Sequence, residues 1–408
     1  MEKCAITALM ETGWSEQNSK LLAELIEGHA KSRDCLSSER AYCVFDFDNT
    51  TCVGDSEDLF LVEQLKNLYF AIRPESMGAV LMQGMSDVAE HSYFIPRVGK
   101  SARPADMAAD ASAAYKRLWD CGLISSNPVN SYQKTAYEKN PDFLEFSSKM
   151  RCLYDLVAIA KGDGFSYLWC KSWFTGMKPE ELRKAAELYL SGCLLKDGDK
   201  LHAAAFSGPN GYDSRCGPVR TEFSYPYSIS KGMRALYRLL KERCIDIYIV
   251  STSHTEIIDA QAYMTELFGL EGVAGIYGIS FPVEEGRYVC RYSESLIREM
   301  LPERKTRVIR ERIAPGYHGR GPLLTAMDSA FDLDFCTAFP DTQLTLIMSR
   351  ARGNAATEHT GLTWPQCNWA ETFSTRNRRY AFQGIDETNG QLVPVETTAY
   401  PTDTDNKI

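Results

Sequence analysis

Hydrophobic and polar positions divide the 408-residue chain into stretches of different rhythm. Leu21, Leu22, Leu25 and Ile26 fall on one stripe at helical spacing, so residues 14–40 read as a helical lead-in. A short apolar run follows, Ala41-Tyr-Cys-Val-Phe45, rich in strand formers and ending at the polar cluster Asp46-Phe-Asp48-Asn-Thr-Thr51. A buried strand that stops at polar residues is how α/β proteins shape a ligand-binding edge.

Residues 56 to about 224 change to a helical period. Helices are expected over Asp58–Tyr69, Ser86–Tyr93, Ala105–Asp120, Pro141–Ala160 and Pro179–Leu190. They are parted by Arg73-Pro74, Asn127-Pro128, Asn140-Pro141 and Gly208-Pro-Asn-Gly211. After Tyr225-Pro226-Tyr227 strands and helices alternate. Ile229–Glu242 reads as a helix, Ile245–Val250 as a buried strand ending in Ser251-Thr-Ser-His254, and Glu256–Phe268 as a helix. Val273–Ile279, Gly321–Met327 and Thr342–Met348 read as further strands, with a short helix at Lys305–Arg312. Such alternation implies a parallel sheet with right-handed crossovers. From about Asn354 the pattern becomes polar and irregular, and Thr398–Ile408 is expected to be a loose tail.

Composition narrows the class. A chain of this length with 44% hydrophobic residues can bury a sizeable core, which excludes wholesale disorder. Against 54 Asp and Glu stand 45 Lys and Arg, a net charge of −9, which argues against broad nucleic-acid binding. The 13 cysteines are scattered without any CxxC pair, so zinc-ribbon and redox motifs are excluded, and unpaired thiols suit a reducing compartment. No apolar stretch approaches the roughly 18–20 residues of a membrane span. The apolar run Cys4–Met10 lacks a following small-residue cleavage site, so a cytoplasmic location is expected.

The inferred strands end in Asp46 and Asp48, in Ser251, Thr252 and Ser253, and in Asp328 followed by Asp332. Ligands of open α/β sheets bind at such carboxyl ends, so these groups are expected to converge. Several carboxylates there make an oxygen-rich site for Mg²⁺. Ser251 and the amides after it offer donors to phosphate oxygens. One carboxylate can attack phosphorus while another protonates the leaving alkoxide. His254 follows the serine-rich strand end, but no GxSxG elbow accompanies it, which disfavours a serine-hydrolase triad. Val98-Gly-Lys-Ser101 lacks the upstream glycine of a P-loop, where Phe94 stands.

Four of these segments together resemble the haloacid dehalogenase superfamily. Asp46-Phe-Asp48-Asn-Thr50 is similar to its DxDx(T/V) first motif, Val250-Ser251 to its second, Lys305 in Lys-Thr-Arg-Val-Ile to its third, and Asp328-Ser-Ala-Phe-Asp332 to its GDSxxD fourth. Met327 stands where the fourth motif has glycine. The resemblance implies a Rossmann-like α/β core, discontinuous over 41–55 and 226–385. It further implies a large helical cap over 56–225, after a lead-in at 1–40 and before a tail at 386–408. It makes Asp46 the nucleophile and Asp48 the general acid/base. Mg²⁺ would be held by Asp46, the Asp48 carbonyl and Asp328. Ser251, Thr252 and Lys305 would bind the phosphoryl group, with Asp332 supporting.

The stretch Asp46–Thr51 with Asp55 and Glu57 looks most like bacterial phosphorylcholine and phosphoserine phosphatases, as does Trp173-Phe-Thr-Gly-Met-Lys-Pro-Glu-Glu181. There an acidic residue soon after the first motif contacts the substrate ammonium, a role open to Asp55 or Glu57. The expectation is therefore a Mg²⁺-dependent phosphomonoesterase acting on a small amino-alcohol phosphate, with neither nucleic acid nor membrane as partner. The rivals are a phosphotransferase or mutase on the same fold, and a catalytically silent phosphate-binding protein. The aromatics Tyr93, Tyr115, Trp119, Trp169 and Trp173 admit a cage for quaternary ammonium, although core packing is the better account of each.

Overall fold

The computed structural model describes residues 2–124, 137–195, 201–289, 291–350, 364–376 and 378–395. Tyr42–Phe45 forms strand β1, buried at all four positions. Around it assemble β2 (Asp246–His254), β3 (Val273–Ile279), β4 (Leu324–Met327), β5 (Leu344–Ser349), β6 (Tyr380–Asp386) and β7 (Gln391–Val393) in the order β3-β2-β1-β4-β5-β6-β7. Neighbours pair in parallel except β6 with β7. The near-continuous apolar runs at β1, β4 and β5 follow from burial on both faces. On one face Cys43, Phe45, Ile247 and Ile249 pack with Leu236, Tyr237 and Leu240 of the helix Lys231–Glu242. On the other, Tyr42, Val44, Met327 and Ile347 pack with Ile309, Ile313, Phe335 and Phe373. Met327 is thus a core side chain of β4. The strand order reverses between β1 and β4, and this switch point is where open α/β sheets leave a crevice beyond the strand ends.

The chain leaves this layer beside Gly54 and returns at Pro226. Val53 and Ser228 pair as an antiparallel bridge, with amide-to-carbonyl distances of 2.8 and 3.2 Å. Gly54 has φ +89°, and a Cβ there would lie 1.9 Å from the carbonyl oxygen of Pro226, so no other residue fits this neck. Between the two points lie the helices Ser56–Lys66, Pro74–Leu81, Pro104–Asp120, Pro141–Lys161, Asp163–Trp169 and Pro179–Cys193. Two antiparallel hairpins, Tyr93–Ile95 with Lys100–Ala102 and His202–Ser207 with Arg220–Tyr225, accompany them. The helix expected over 86–93 is absent. Turns occupy 86–90 and Tyr93 opens the first hairpin, whose turn holds Val98 and Gly99.

Two expectations at the C-terminal end need correction. Within the stretch read as irregular from 354, Trp364–Thr375 is a helix and β6 is a full member of the sheet. Within the stretch read as a tail from 386, β7 closes the sheet edge. Their polarity misled because Gln383, inside β6, is fully buried and satisfied by distant groups. Its Oε1 accepts from Asn18 Nδ2 (3.0 Å) and Ser15 N (3.2 Å), while its Nε2 donates to Val393 O (2.6 Å). The helix Glu16–Gly28 is thereby tied to the far end of the chain. Residues 398–408 and the Asn127-Pro128 break lie outside the described residues.

The twelve described cysteines are free thiols. Among the described residues no helix is long and apolar enough to cross a membrane.

Candidate active site

Beyond the ends of β1, β2, β4 and β5 lies a cavity of about 650 Å³. Asp46 and Asp48 enter it from the turn after β1, Ser251 and Thr252 from the last residues of β2, and Asp328 and Asp332 from the turn after β4. β2 runs on to His254, four residues past the expected end, and carries the serine cluster as strand. Lys305 comes from the helix Glu303–Val308. Lys305 is 2% exposed, although it stands between two arginines in sequence, Arg304 and Arg307.

Carboxylates crowd this end of the sheet. One oxygen each from Asp46, Asp328 and Asp332 lies within 4.8 Å of the others, an arrangement that fits a divalent cation. Lys305 Nζ lies 2.6 Å from Asp46 Oδ1 and 2.5 Å from Asp332 Oδ1. Burial pulls the Lys305 ammonium down, but Asp332 and Asp46 outweigh it and hold its pKa above the ordinary value. Asp332, expected in a supporting role, therefore belongs to the cluster itself. Asp334, two residues on, accepts a hydrogen bond from Thr306 Oγ1 instead. Asp328 is pushed up to about 6 by burial, against the pull of Arg350, whose Nη1 is 3.1 Å from its Oδ2. Arg350 follows β5 and had no sequence signal. It is bridged in turn to Glu387 at 2.7 Å.

The Asp48 carboxylate, outside the three-carboxylate group, is held by hydroxyls and an amide. Oδ1 accepts from Ser56 N (2.7 Å) and Ser56 Oγ (2.6 Å), and Oδ2 accepts from Ser253 Oγ. Burial pushes Asp48 up to about 6, opposed by the hydrogen bonds from Ser253 and Ser56. Thr50 Oγ1 donates to Asp46 Oδ2 at 3.1 Å, and Thr51 Oγ1 to the Asp46 carbonyl at 2.7 Å. The turn thus orients its own aspartate.

Asp55 and Glu57 separate in space. Asp55 lines the cavity while capping the helix Ser56–Lys66, accepting from the amides of Glu57 and Asp58. Burial, then the charge of Asp48, hold Asp55 well above the usual carboxylate range. Glu57 is off the cavity wall. It is fully buried in an ion pair with Lys171, 2.6 Å between Oε2 and Nζ, and it accepts from the His254 amide at 3.3 Å. A helical turn sends successive side chains in different directions, which spacing from the first motif does not reveal.

The far wall comes from the segment between β1 and β2: Asp58, Arg97, Arg151, Tyr154, Asp155 and Tyr167. Arg151 pairs with Asp155 at 2.5 Å. Tyr154 and Tyr167 replace the aromatics singled out by sequence. Tyr115, Trp169 and Trp173 are buried in the core, and neither Tyr93 nor Trp119 lines the cavity. His254 is enclosed by Phe174, Phe281 and Tyr288, beside Glu256, and offers no triad.

No family model matches the chain, and no curated protein does. Among solved structures it is similar to a conserved protein of unknown function from Anaerococcus prevotii DSM 20548. The identity is 21% and the TM-score 0.77, over 96% of this chain and 98% of that one. This likeness shows a shared fold and nothing of activity. A second, looser likeness is to cytosolic 5'-nucleotidase IIIB bound to cytidine, with 10% identity and a TM-score of 0.36 over 92% of this chain and 84% of that one, and it carries no argument.

Proposed function

We propose that this chain is a phosphomonoesterase of the haloacid dehalogenase type, with the segment 56–225 serving as its cap. One observation carries the reading. Lys305 bridges Asp46 and Asp332 at 2.6 and 2.5 Å beside Asp328, so residues from three distant motifs meet at one strand-end cavity.

In this mechanism the Asp46 carboxylate attacks phosphorus and the ester P–O bond breaks, leaving phosphate on Asp46. Asp48, kept partly protonated by burial, gives its proton to the departing alkoxide and then takes one from the attacking water. Water attack releases phosphate and restores Asp46. Lys305 neutralises charge on the nucleophile and on Asp332, and Ser251 with Thr252 faces the phosphoryl oxygens. Asp46, Asp328 and Asp332 suit Mg²⁺, with the Asp48 carbonyl as a further ligand. When bound, the ion would offset the repulsion between carboxylate and phosphate.

The cavity favours a small phosphate ester with a cationic end. On the wall away from the motifs, Asp55, Asp58, Asp155 and Asp163 outnumber Arg97 and Arg151. Phosphorylcholine and phosphoethanolamine fit this description. One observation favours a second reading, phosphoserine. Arg97 lines the cavity, and its Nη1, held only by a 3.9 Å ion pair with Asp155, makes no hydrogen bond that a substrate carboxylate would have to displace.

Phosphate release from phosphorylcholine, phosphoethanolamine, phosphoserine and sugar phosphates, with Mg²⁺ or with excess EDTA, tests the proposal. Hydrolysis of an amino-alcohol phosphate that needs Mg²⁺ and disappears in Asp46→Asn is expected. Turnover retained in Asp46→Asn would overturn it. Transfer to added alcohols in place of hydrolysis would identify a phosphotransferase, and saturable binding without turnover a silent binding protein.

A further inference from the structure

The group that aims Asp48 reaches it from the other part of the chain. Tyr167 lies in the helix Asp163–Trp169, within the segment between β1 and β2, and its hydroxyl is 2.7 Å from Ser253 Oγ. Ser253 Oγ donates to Asp48 Oδ2. A hydroxyl has a single proton, so while Ser253 donates to Asp48 its oxygen accepts from Tyr167. The contacts form one directed chain, from Tyr167 to Ser253 to Asp48. Ser56 holds the opposite carboxylate oxygen, so the carboxyl plane is clamped from both sides.

A second contact supports the same docking. Lys171, one helical turn beyond Tyr167, donates to the Tyr167 carbonyl at 3.1 Å and stands 3.8 Å from the centre of its ring. Lys171 also pairs with Glu57, which accepts from the amide of His254, the residue after Ser253. The 167–171 stretch is therefore linked to β2 at two adjacent positions, directly through Tyr167 to Ser253 and indirectly through Lys171 and Glu57 to the amide of His254.

We propose that Tyr167 is a positioning residue for leaving-group protonation, acting through Ser253 to aim the Asp48 carboxyl once the segment 56–225 is docked on the end of β2. This rests on the reading of Asp48 as the general acid. It predicts a specific signature. A misaimed acid harms the expulsion of a basic leaving group far more than that of an acidic one, which departs without a proton.

The test is kcat/KM, which reports the first chemical half of the reaction, for phenyl phosphate against p-nitrophenyl phosphate on the Mg²⁺-loaded full chain. For Tyr167→Phe the loss on phenyl phosphate should exceed the loss on p-nitrophenyl phosphate by roughly 10-fold, part of the 10²–10⁴ that general acid catalysis supplies. Ser253→Ala should show the same selectivity, Ser253→Thr should recover it by restoring the hydroxyl, and adding Tyr167→Phe to Ser253→Ala should bring no further selective loss. Equal losses on both esters, or no loss on either, would overturn the proposal. Asp48→Asn separates the two layers of the argument. If it too lacks leaving-group selectivity, the assignment of Asp48 as the acid has failed. If it shows selectivity and Tyr167→Phe does not, only the role of Tyr167 has.

Discussion

The ammonium of Lys305 lies 2.6 Å from Oδ1 of Asp46, across 259 residues of sequence, and both groups are withdrawn from solvent. The same ammonium reaches Asp332 at 2.5 Å, so one positive charge is shared between the proposed nucleophile and a neighbour that would otherwise repel it.

Replacing Lys305 should therefore cost activity steeply. Lys305→Met is expected to lower kcat/KM for p-nitrophenyl phosphate by about 100-fold or more, the scale of losing one preorganised charge at a reacting oxygen. Lys305→Arg should not rescue it, because a planar guanidinium does not fit where a compact ammonium touches two carboxylates. Initial rates in saturating Mg²⁺ measure both. A Lys305→Met enzyme within fivefold of the parent would remove this residue from the machinery.

Glu57 and Lys171 carry a different expectation. Their pair is fully buried at 2.6 Å, and deleting one partner strands the other charge in the core. Glu57→Gln or Lys171→Met alone should destabilise the protein by about 3–5 kcal/mol. The double variant should cost clearly less than the sum. Urea unfolding of the four proteins closes the cycle, and additive costs would mean the pair is not coupled.

Asp48 and Asp328 are both pushed up to about 6 by burial, above the roughly 4 of an exposed carboxylate. Raised acids favour the folded state most below about pH 4, and that contribution is lost as pH rises through about 6. The site's crowded negative charge is therefore most costly at neutral pH, where a bound divalent cation would offset it. The Mg²⁺-induced rise in Tm should grow between pH 5 and pH 7.5, and Asp328→Asn should abolish that growth. Differential scanning fluorimetry in EDTA and in Mg²⁺ reads both, and a pH-independent shift would contradict the assignment.

Arg97 is placed to distinguish the candidate substrates. Phosphoserine and phosphoethanolamine differ by one carboxylate, so Arg97→Gln should lower the ratio of their kcat/KM values by about 10-fold if Arg97 receives that group. An unchanged ratio would remove the support for phosphoserine.

Much of the sheet could be read locally. β1, β4 and β5 lie within a few residues of their expected positions, because strands buried on both faces must be apolar throughout. Asp46, Ser251, Lys305 and Asp328 drew notice because each sits where an apolar run or a helix meets polar residues. β6 and β7 escaped notice because Gln383 interrupts the apolar run of β6, and the groups that satisfy it come from residues 13–18 and from Val393. Arg350, Arg97 and Tyr167 had no local signal, since in sequence an arginine or a tyrosine on a cavity wall looks the same as one on a surface. Glu57 was read on distance from the first motif, and the rotation of one helical turn sent it into the core toward Lys171.

The sequence by itself determined where strands must be buried and which acids follow them, because burial and strand termination act over a few neighbouring residues. Only the tertiary structure decided which charge faces which: Lys305 with Asp46 and Asp332, Arg350 with Asp328, Lys171 with Glu57, Tyr167 with Ser253. Those partners lie from 22 to 259 residues apart. Electrostatic and hydrogen-bond energies depend on distances of a few ångströms, and the order of the chain does not contain them.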